Sequence, residues 1–266
     1  MGDTLKIVVL VKHVPDAQFD RHIGPERTLD RSESILSELD EYALEAALQL
    51  TDARGGDKGG NEVIALTMGG PDAANALKKA LQIGASSGVH LSDEALAGSD
   101  AWATSLALAA AIRSLGEVDL VITGMASTDG ETSLVPAQLA EHLGLPQLTF
   151  ASSLEVSGRT VAIQRDGEGV TETVEAELPA LVSVTDQANE PRYPNFKGIL
   201  AAKKKKIATL SLAEVGLDAG QVGAAGSLTA VESAKPRPPR AAGTIITDEG
   251  DAGVKLVDFL AAQKLI

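Results

Sequence analysis

Four mostly apolar stretches stand out along the chain: Ile7 to Val11, Glu62 to Met68, Leu120 to Thr123 and Leu181 to Val184. A strand covered on both faces, as in a parallel sheet, reads as such a run. Between the runs the apolar period changes from every position to three or four. From Ser37 to Leu50 the stripe Leu39, Tyr42, Ala43, Ala46, Ala47 and Leu50 predicts a helix, with Ser37 or Asp40 as its cap. Pro71 opens a second helix carrying Ala76, Leu77, Ala80 and Leu81, and Gly84 ends it. Val89 to Leu91 is a short strand, Asp100 to Leu115 an Ala-rich helix, and Leu134, Leu139 and Leu143 mark the helix after the third run. Repeated β-α alternation of this kind predicts an α/β, doubly wound, mostly parallel sheet.

The texture changes after residue 147. Leu154 to Val156, Thr160 to Ile163 and Val170 to Val174 alternate in period two, with turns at Ser157-Gly158 and Asp166-Gly167. They predict an antiparallel edge to the sheet. Residues 186–206 follow, a polar loop holding Pro191, Arg192, Tyr193, Pro194 and Phe196, then a short helix and four lysines. Beyond Leu217 the chain thins into Gly, Ala and Ser, passes through the stiff Pro236-Arg-Pro-Pro-Arg240, and ends in an amphipathic helix over Val254 to Leu265. These features divide it into a domain over residues 1–215 and an extended C-terminal arm over 216–266.

Ligands in doubly wound sheets sit beyond the C-terminal strand ends, near the switch in strand order. Three turns converge there, after Val11, Met68 and Thr123. The third, Gly124-Met-Ala-Ser-Thr-Asp129-Gly130-Glu-Thr132-Ser-Leu-Val135, joins a buried strand to a helix N-terminus, a ready site for an anion. Thr132 and Ser133 can cap that helix or donate to a phosphate. No Lys follows the glycines as in a Walker loop, and the G-x-G-x-x-G dinucleotide pattern is missing.

Composition narrows the chemistry. A formal net charge of −14 argues against nucleic-acid binding, which needs a basic face. Without Cys there is no thiolate metal site, Fe–S cluster or Cys nucleophile, and the four scattered histidines lack metal spacing. No apolar run approaches the length of a membrane helix, and the start lacks a signal-peptide pattern, so a cytoplasmic chain without membrane insertion is expected, or a matrix one if eukaryotic. His13 near Asp16 is the one His–acid pair in a candidate ligand turn. It reads as a charged loop, so no residue is assigned as acid, base or nucleophile.

The stretch Asn189-Glu-Pro-Arg-Tyr193, followed by Ala202 and Lys203 to Lys206, resembles the signature of the β subunit of electron transfer flavoproteins. Lys6 to Lys12, the Thr67-Met-Gly-Gly-Pro71 turn and Ser127-Thr-Asp-Gly130 are similar to that family too. The resemblance implies a Rossmann-like domain in a heterodimer whose α subunit holds most of one FAD. It implies a structural AMP in this subunit, or a second FAD as in the bifurcating branch, and an arm that wraps the partner. Electrons would enter from acyl-CoA or related dehydrogenases and leave to a membrane quinone oxidoreductase. A stand-alone adenine-nucleotide-binding domain is the alternative of another class. Its hydrolytic members need a phosphate loop after the first strand that Lys12 to Asp16 does not supply.

By the same resemblance the nucleotide pocket uses Leu10, then Ser37, Glu38, Leu39 and Asp40, then Met68. To these it adds Gly124, Met125, Ala126, Ser127, Thr128, Asp129, Gly130, Glu131, Thr132, Ser133, Leu134 and Val135. The family's usual Gln-Thr-Gly before the helix is replaced here by Gly130 to Val135, and positions aromatic in some relatives are Ala17 and Leu39. The docking set implied is Asn189, Glu190, Pro191, Arg192, Tyr193 and the apolar anchor Phe196, with Asp166 facing an α-subunit Arg.

Overall fold

The structure is a computed structural model describing residues 4–24, 27–240 and 242–266. In chain order the strands are β1 (Lys6–Leu10), β2 (His13–Pro15), β3 (Ser34–Leu36), β4 (Glu62–Met68), β5 (Ser87–Leu91), β6 (Leu120–Gly124) and β7 (Gln147–Ala151). Then follow β8 (Ser153–Ser157), β9 (Thr160–Gly167), β10 (Val170–Glu177), β11 (Ala180–Val184) and β12 (Ile207–Leu210). The helices are α1 (Glu38–Asp52), α2 (Ala74–Ile83), α3 (Ala101–Ser114), α4 (Val135–Leu143), α5 (Phe196–Ala202), α6 (Gly223–Gly226) and α7 (Ala252–Ala262).

Seven strands form one sheet in the order β12-β5-β4-β1-β6-β11-β7. Every pairing in it is parallel. Successive side chains of a strand point to opposite faces, and β1 shows the consequence. Ile7 and Val9 join the core under α1 and α2, while Val8 and Leu10 join the core under α3 and α4. Small residues (Ala43 and Ala47 on α1, Ala107 and Ala111 on α3) are fully buried. They let the helices lie close on the sheet in a chain with only 3% aromatic residues.

The expected α/β class and parallel sheet are what the chain forms. The antiparallel strands make a separate sheet, β10-β9-β8, instead of lengthening the parallel one. It is fastened beside β7, where Ser152 N donates to the Gln164 carbonyl at 2.8 Å. The polar stretch after β1, where a charged loop is expected at His13 to Asp16, opens instead with a strand. His13–Pro15 pairs antiparallel with Ser34–Leu36, which Pro15 permits because it sits at the end of a two-stranded ribbon.

Sheet strand β12 follows the lysine run directly. One of those lysines, Lys205, is half-buried: its Nζ donates to the carbonyls of Gly84 (3.1 Å) and Ala85 (2.6 Å) just past α2. A cation is favoured at a helix C-terminus, and burial pushes the Lys205 pKa down.

The first compact unit runs to Ser233 and the second covers Ala234–Ile266. The expected division at 215/216 therefore falls inside the first unit, where Val222 is fully buried in the core beneath α3. The second unit is extended up to α7, which exposes Val254, Leu256, Val257 and Phe259. No helix among the described residues is long and apolar enough to cross a membrane.

Candidate functional site

Strand order reverses at β1, with β4 on one side and β6 on the other. A cleft opens at the C-terminal ends of these three strands, as the topology of such sheets dictates. It holds about 680 Å³ of empty space measured out to its open mouth. One wall is apolar: Leu10 from β1 and Val11 just past it, Leu66 and Met68 from β4, Leu108 from α3. The other wall is the β6–α4 loop, from Thr123, Gly124, Ala126 and Ser127 to Thr132, Ser133, Val135 and Pro136. Lys12, Asp40 and Thr104 complete the lining.

Helix α4 begins at Val135 after Leu134, and no side chain caps it. The expected cap by Thr132 or Ser133 is not formed. Glu131 and Ser133 have φ of 51° and 53°, in the left-handed region that side chains seldom adopt. This path carries Thr132 and Ser133 along the cleft, and the closest approach to a cap is a 3.5 Å contact from Leu134 N to Thr132 Oγ1. The first N–H groups of the helix thus end without a side-chain acceptor, facing the end of the macrodipole that attracts anions.

Ser37 occupies the N-cap position of α1, but its fully buried hydroxyl has no hydrogen-bond partner among the described residues. Asp40 does not cap the helix either. It turns into the cleft, where Oδ2 accepts from Lys12 N at 2.8 Å, and packs against Gly124. A Cβ at position 124 would stand 2.8 Å from Asp40 Oδ1 and 2.9 Å from the Leu39 carbonyl, so glycine is required there by close approach. Burial raises the Asp40 pKa to about 7, against the bond from Lys12 N and the Lys12 charge, with the neighbouring Asp129 adding to the rise.

Asp129 lies in the same loop with its side chain only 3% exposed. Lys12 Nζ reaches its Oδ1 at 2.8 Å and Ser127 Oγ at 3.2 Å, and Arg31 donates to its Oδ2. Burial raises this carboxyl too, but the Lys12 charge and the bonds from Lys12 and Arg31 outweigh it and hold Asp129 well below the usual range.

Of the residues expected at the nucleotide, Leu10, Asp40, Met68, Gly124, Ala126, Ser127, Thr132, Ser133 and Val135 line the cleft. Ser37, Glu38, Leu39, Met125, Thr128, Asp129, Gly130, Glu131 and Leu134 stand beside or behind that lining. Val11, Lys12, Leu66, Thr104, Leu108, Thr123 and Pro136 are lining residues that the sequence reading did not assign to it. Lys12 carried a usable signal, being the first polar residue past a buried strand of a parallel sheet. Thr104 and Leu108 sit on the Ala-rich helix α3, whose near-uniform apolarity conceals which face meets the cleft.

The second expected set divides in two. Asn189 and Arg192 turn inward onto α1: Asn189 Nδ2 donates to the Tyr42 carbonyl at 3.0 Å. Arg192 forks onto Glu45, with Nε to Oε2 at 2.6 Å and a terminal N to Oε1 at 3.0 Å, and reaches Asp52 at 2.9 Å. Pro191 is half-buried and Glu190 exposed, while Tyr193 and Phe196 are 90% and 75% exposed. Asp166 is exposed on β9, where bonds from Ser152 and Thr171 lower its pKa. A loop tied to α1 by Arg192 and the buried Glu45 thus presents two aromatic side chains to solvent.

With this geometry in hand, the comparisons with known proteins are specific. A family profile described as electron transfer flavoprotein domain matches residues 28–215. The chain is 44% identical over 263 residues to the electron transfer flavoprotein subunit beta of Mycobacterium leprae, covering 98% of this chain and 99% of that one. It is 43% identical, with the same coverage, to the protein of that name in Mycobacterium tuberculosis. To the caffeyl-CoA reductase–Etf complex subunit CarD of Acetobacterium woodii it is 35% identical, over 91% of this chain and 92% of that one. A nearly full-length match at this identity leaves one assignment, that the chain belongs to the electron transfer flavoprotein β-subunit family.

Proposed function

We propose that this β subunit holds one AMP in the cleft as a structural core. Paired with an α subunit that carries most of the FAD, it passes electrons from acyl-CoA or related dehydrogenases to a membrane quinone oxidoreductase. The observation that carries the nucleotide reading is the uncapped N-terminus of α4 facing an apolar slot at the strand-order switch. The residues present fit a mononucleotide. Leu10, Leu66 and Met68 suit the flat face of a base, while Thr132, Ser133 and the helix N–H groups suit one phosphate. One slot and one helix terminus favour AMP over a second FAD.

The flavin, when bound, supplies the electron-accepting ring. This chain's residues bind and position. The Asn189–Phe196 loop docks the donor through Tyr193 and Phe196, held by the fork from Arg192 to Glu45. The name of the Acetobacterium woodii relative, which joins a CoA-ester reductase to an Etf, supports CoA-ester oxidoreductases as the class of redox partner. Residues 234–266 embrace the α subunit through the apolar side chains of α7.

Mass spectrometry of nucleotide released by denaturing the purified heterodimer tests this. One AMP and one FAD per complex are expected. Two FAD would replace the AMP assignment with a second flavin in the cleft, and FAD alone, one per complex, would refute a nucleotide core in this subunit.

A further inference from the structure

The ion cluster around Asp129 joins three segments that are far apart in sequence. Lys12 leaves the end of β1, Asp129 sits in the β6–α4 loop, and Arg31 lies in the segment that returns to β3. The Arg31 guanidinium is placed by the ribbon itself. One terminal nitrogen donates to the His13 carbonyl at 2.9 Å, and the other donates to Asp129 Oδ2. The segment is pinned on both sides of Arg31: Asp30 N donates to the His22 carbonyl at 2.9 Å, and Asp16 N to the Glu33 carbonyl at 2.9 Å.

Asp129 itself is enclosed, whereas the Arg31 side chain is 43% exposed. Lys12 occupies only Oδ1, so without Arg31 the Oδ2 atom of a buried carboxylate loses its charged donor. Such an uncompensated acceptor is costly, and the least expensive relief is for the loop to move Asp129 toward water. Glu131 and Ser133, two and four residues on, are held in the left-handed region, and a loop under that constraint relaxes readily once a tie is cut.

We propose that Arg31 is a positioning residue, a latch by which the β2–β3 ribbon keeps the β6–α4 loop in its nucleotide-holding form. It touches neither wall of the cleft. It acts through Asp129, and Lys12 extends the tie to Ser127, which does line the cleft. The inference rests on the AMP reading, because the latch sets how long a nucleotide stays.

The experiment measures AMP entry and release by stopped flow on the purified heterodimer, with a fluorescent AMP analogue. Arg31→Ala should release the analogue about tenfold faster, the size expected when a charge-assisted hydrogen bond is lost, with entry changed less than twofold. Arg31→Lys keeps the charge but cannot bridge the His13 carbonyl and Asp129 together, so its release rate should fall between wild type and Arg31→Ala.

Loss of a diffuse positive field would instead slow entry, and the effect would fade at about 0.5 M salt. That pattern, or release unchanged in both variants, overturns the latch. A wild-type heterodimer that takes up no analogue and releases no AMP on denaturation defeats the AMP reading itself, and the latch with it. Unchanged release from an Arg31→Ala complex that does bind AMP defeats the latch alone.

Discussion

Replacing Asp40 by Asn isolates the cost of the carboxylate buried in the cleft wall. Its pKa rises from 3.8 to about 7, chiefly because burial strips water from the charged form. The Lys12 N–H and the Lys12 charge offset only part of this, and Asp129, 2.8 Å from the Lys12 ammonium, adds a second negative charge nearby. Below pH 3.8 the carboxyl is protonated in both folded and unfolded chains and makes no difference to stability. Between 3.8 and about 7 the folded chain retains a proton that the unfolded chain has released, so stability falls as pH rises. Above 7 the loss is complete, and at 1.36 kcal/mol per unit it amounts to about 4 kcal/mol.

Asn retains a side-chain oxygen for Lys12 N and never ionises, so it escapes this loss. The stability of Asp40→Asn relative to wild type should therefore improve by about 3 kcal/mol between pH 5 and pH 8, the part of the titration that lies in that window. Urea titrations of the full-length chain at the two pH values, followed through its single tryptophan, Trp102, on α3, measure the difference. Other titrating groups are common to both proteins and cancel. A difference that stays flat from pH 5 to 8 would refute the reasoning, showing that Asp40 is compensated and ionises normally in the fold. The variant should also hold AMP differently, since Asp40 lines the cleft.

Two further predictions concern the surfaces offered to partners. Phe196→Ala should slow flavin reduction by an acyl-CoA dehydrogenase about tenfold while leaving the flavin spectrum intact, as truncation of an exposed anchor does; stopped-flow rates equal to wild type would remove Phe196 from the docking surface. Deleting residues 236–266 should weaken the heterodimer, because α7 exposes Val254, Leu256, Val257 and Phe259. A truncated chain that co-elutes with the α subunit as tightly as the full one would show that the arm does not hold the pair.

The central strands were legible because burial on both faces leaves few polar positions, none in Ile7 to Val11 and only Ser183 in Leu181 to Val184. The strands that escaped notice lack this signal. β12, on the sheet edge, half-buries only Ile207 and Leu210, and β7, on the opposite edge, exposes Gln147 and Phe150. In β2, His13 to Asp16 reads as a charged loop, and only pairing with residues 34–36 makes a strand of His13–Pro15. The cleft was legible as three converging turns, since strand ends follow from topology. The chemistry of its wall was not, because Lys12 and Asp40 acquire their roles from Asp129 and Gly124, more than eighty residues further along.

The Asn189–Tyr193 motif shows why the separation matters. Read as a string, its residues all resemble a recognition surface, yet Asn189 and Arg192 are fastened to α1 and only their neighbours face outward. The two roles depend on each other. An exposed aromatic on a free loop would lose conformational entropy on docking, whereas the fork from Arg192 to the buried Glu45 fixes the loop before a partner arrives. The cleft follows the same logic: Asp129, enclosed and paired, leaves the lining to Ser127, Thr132 and Ser133. At both sites a charge pair holds the loop, from Arg192 to Glu45 and from Lys12 and Arg31 to Asp129, and uncharged residues beside it, Tyr193 and Phe196 or Thr132 and Ser133, are left facing outward or into the cleft.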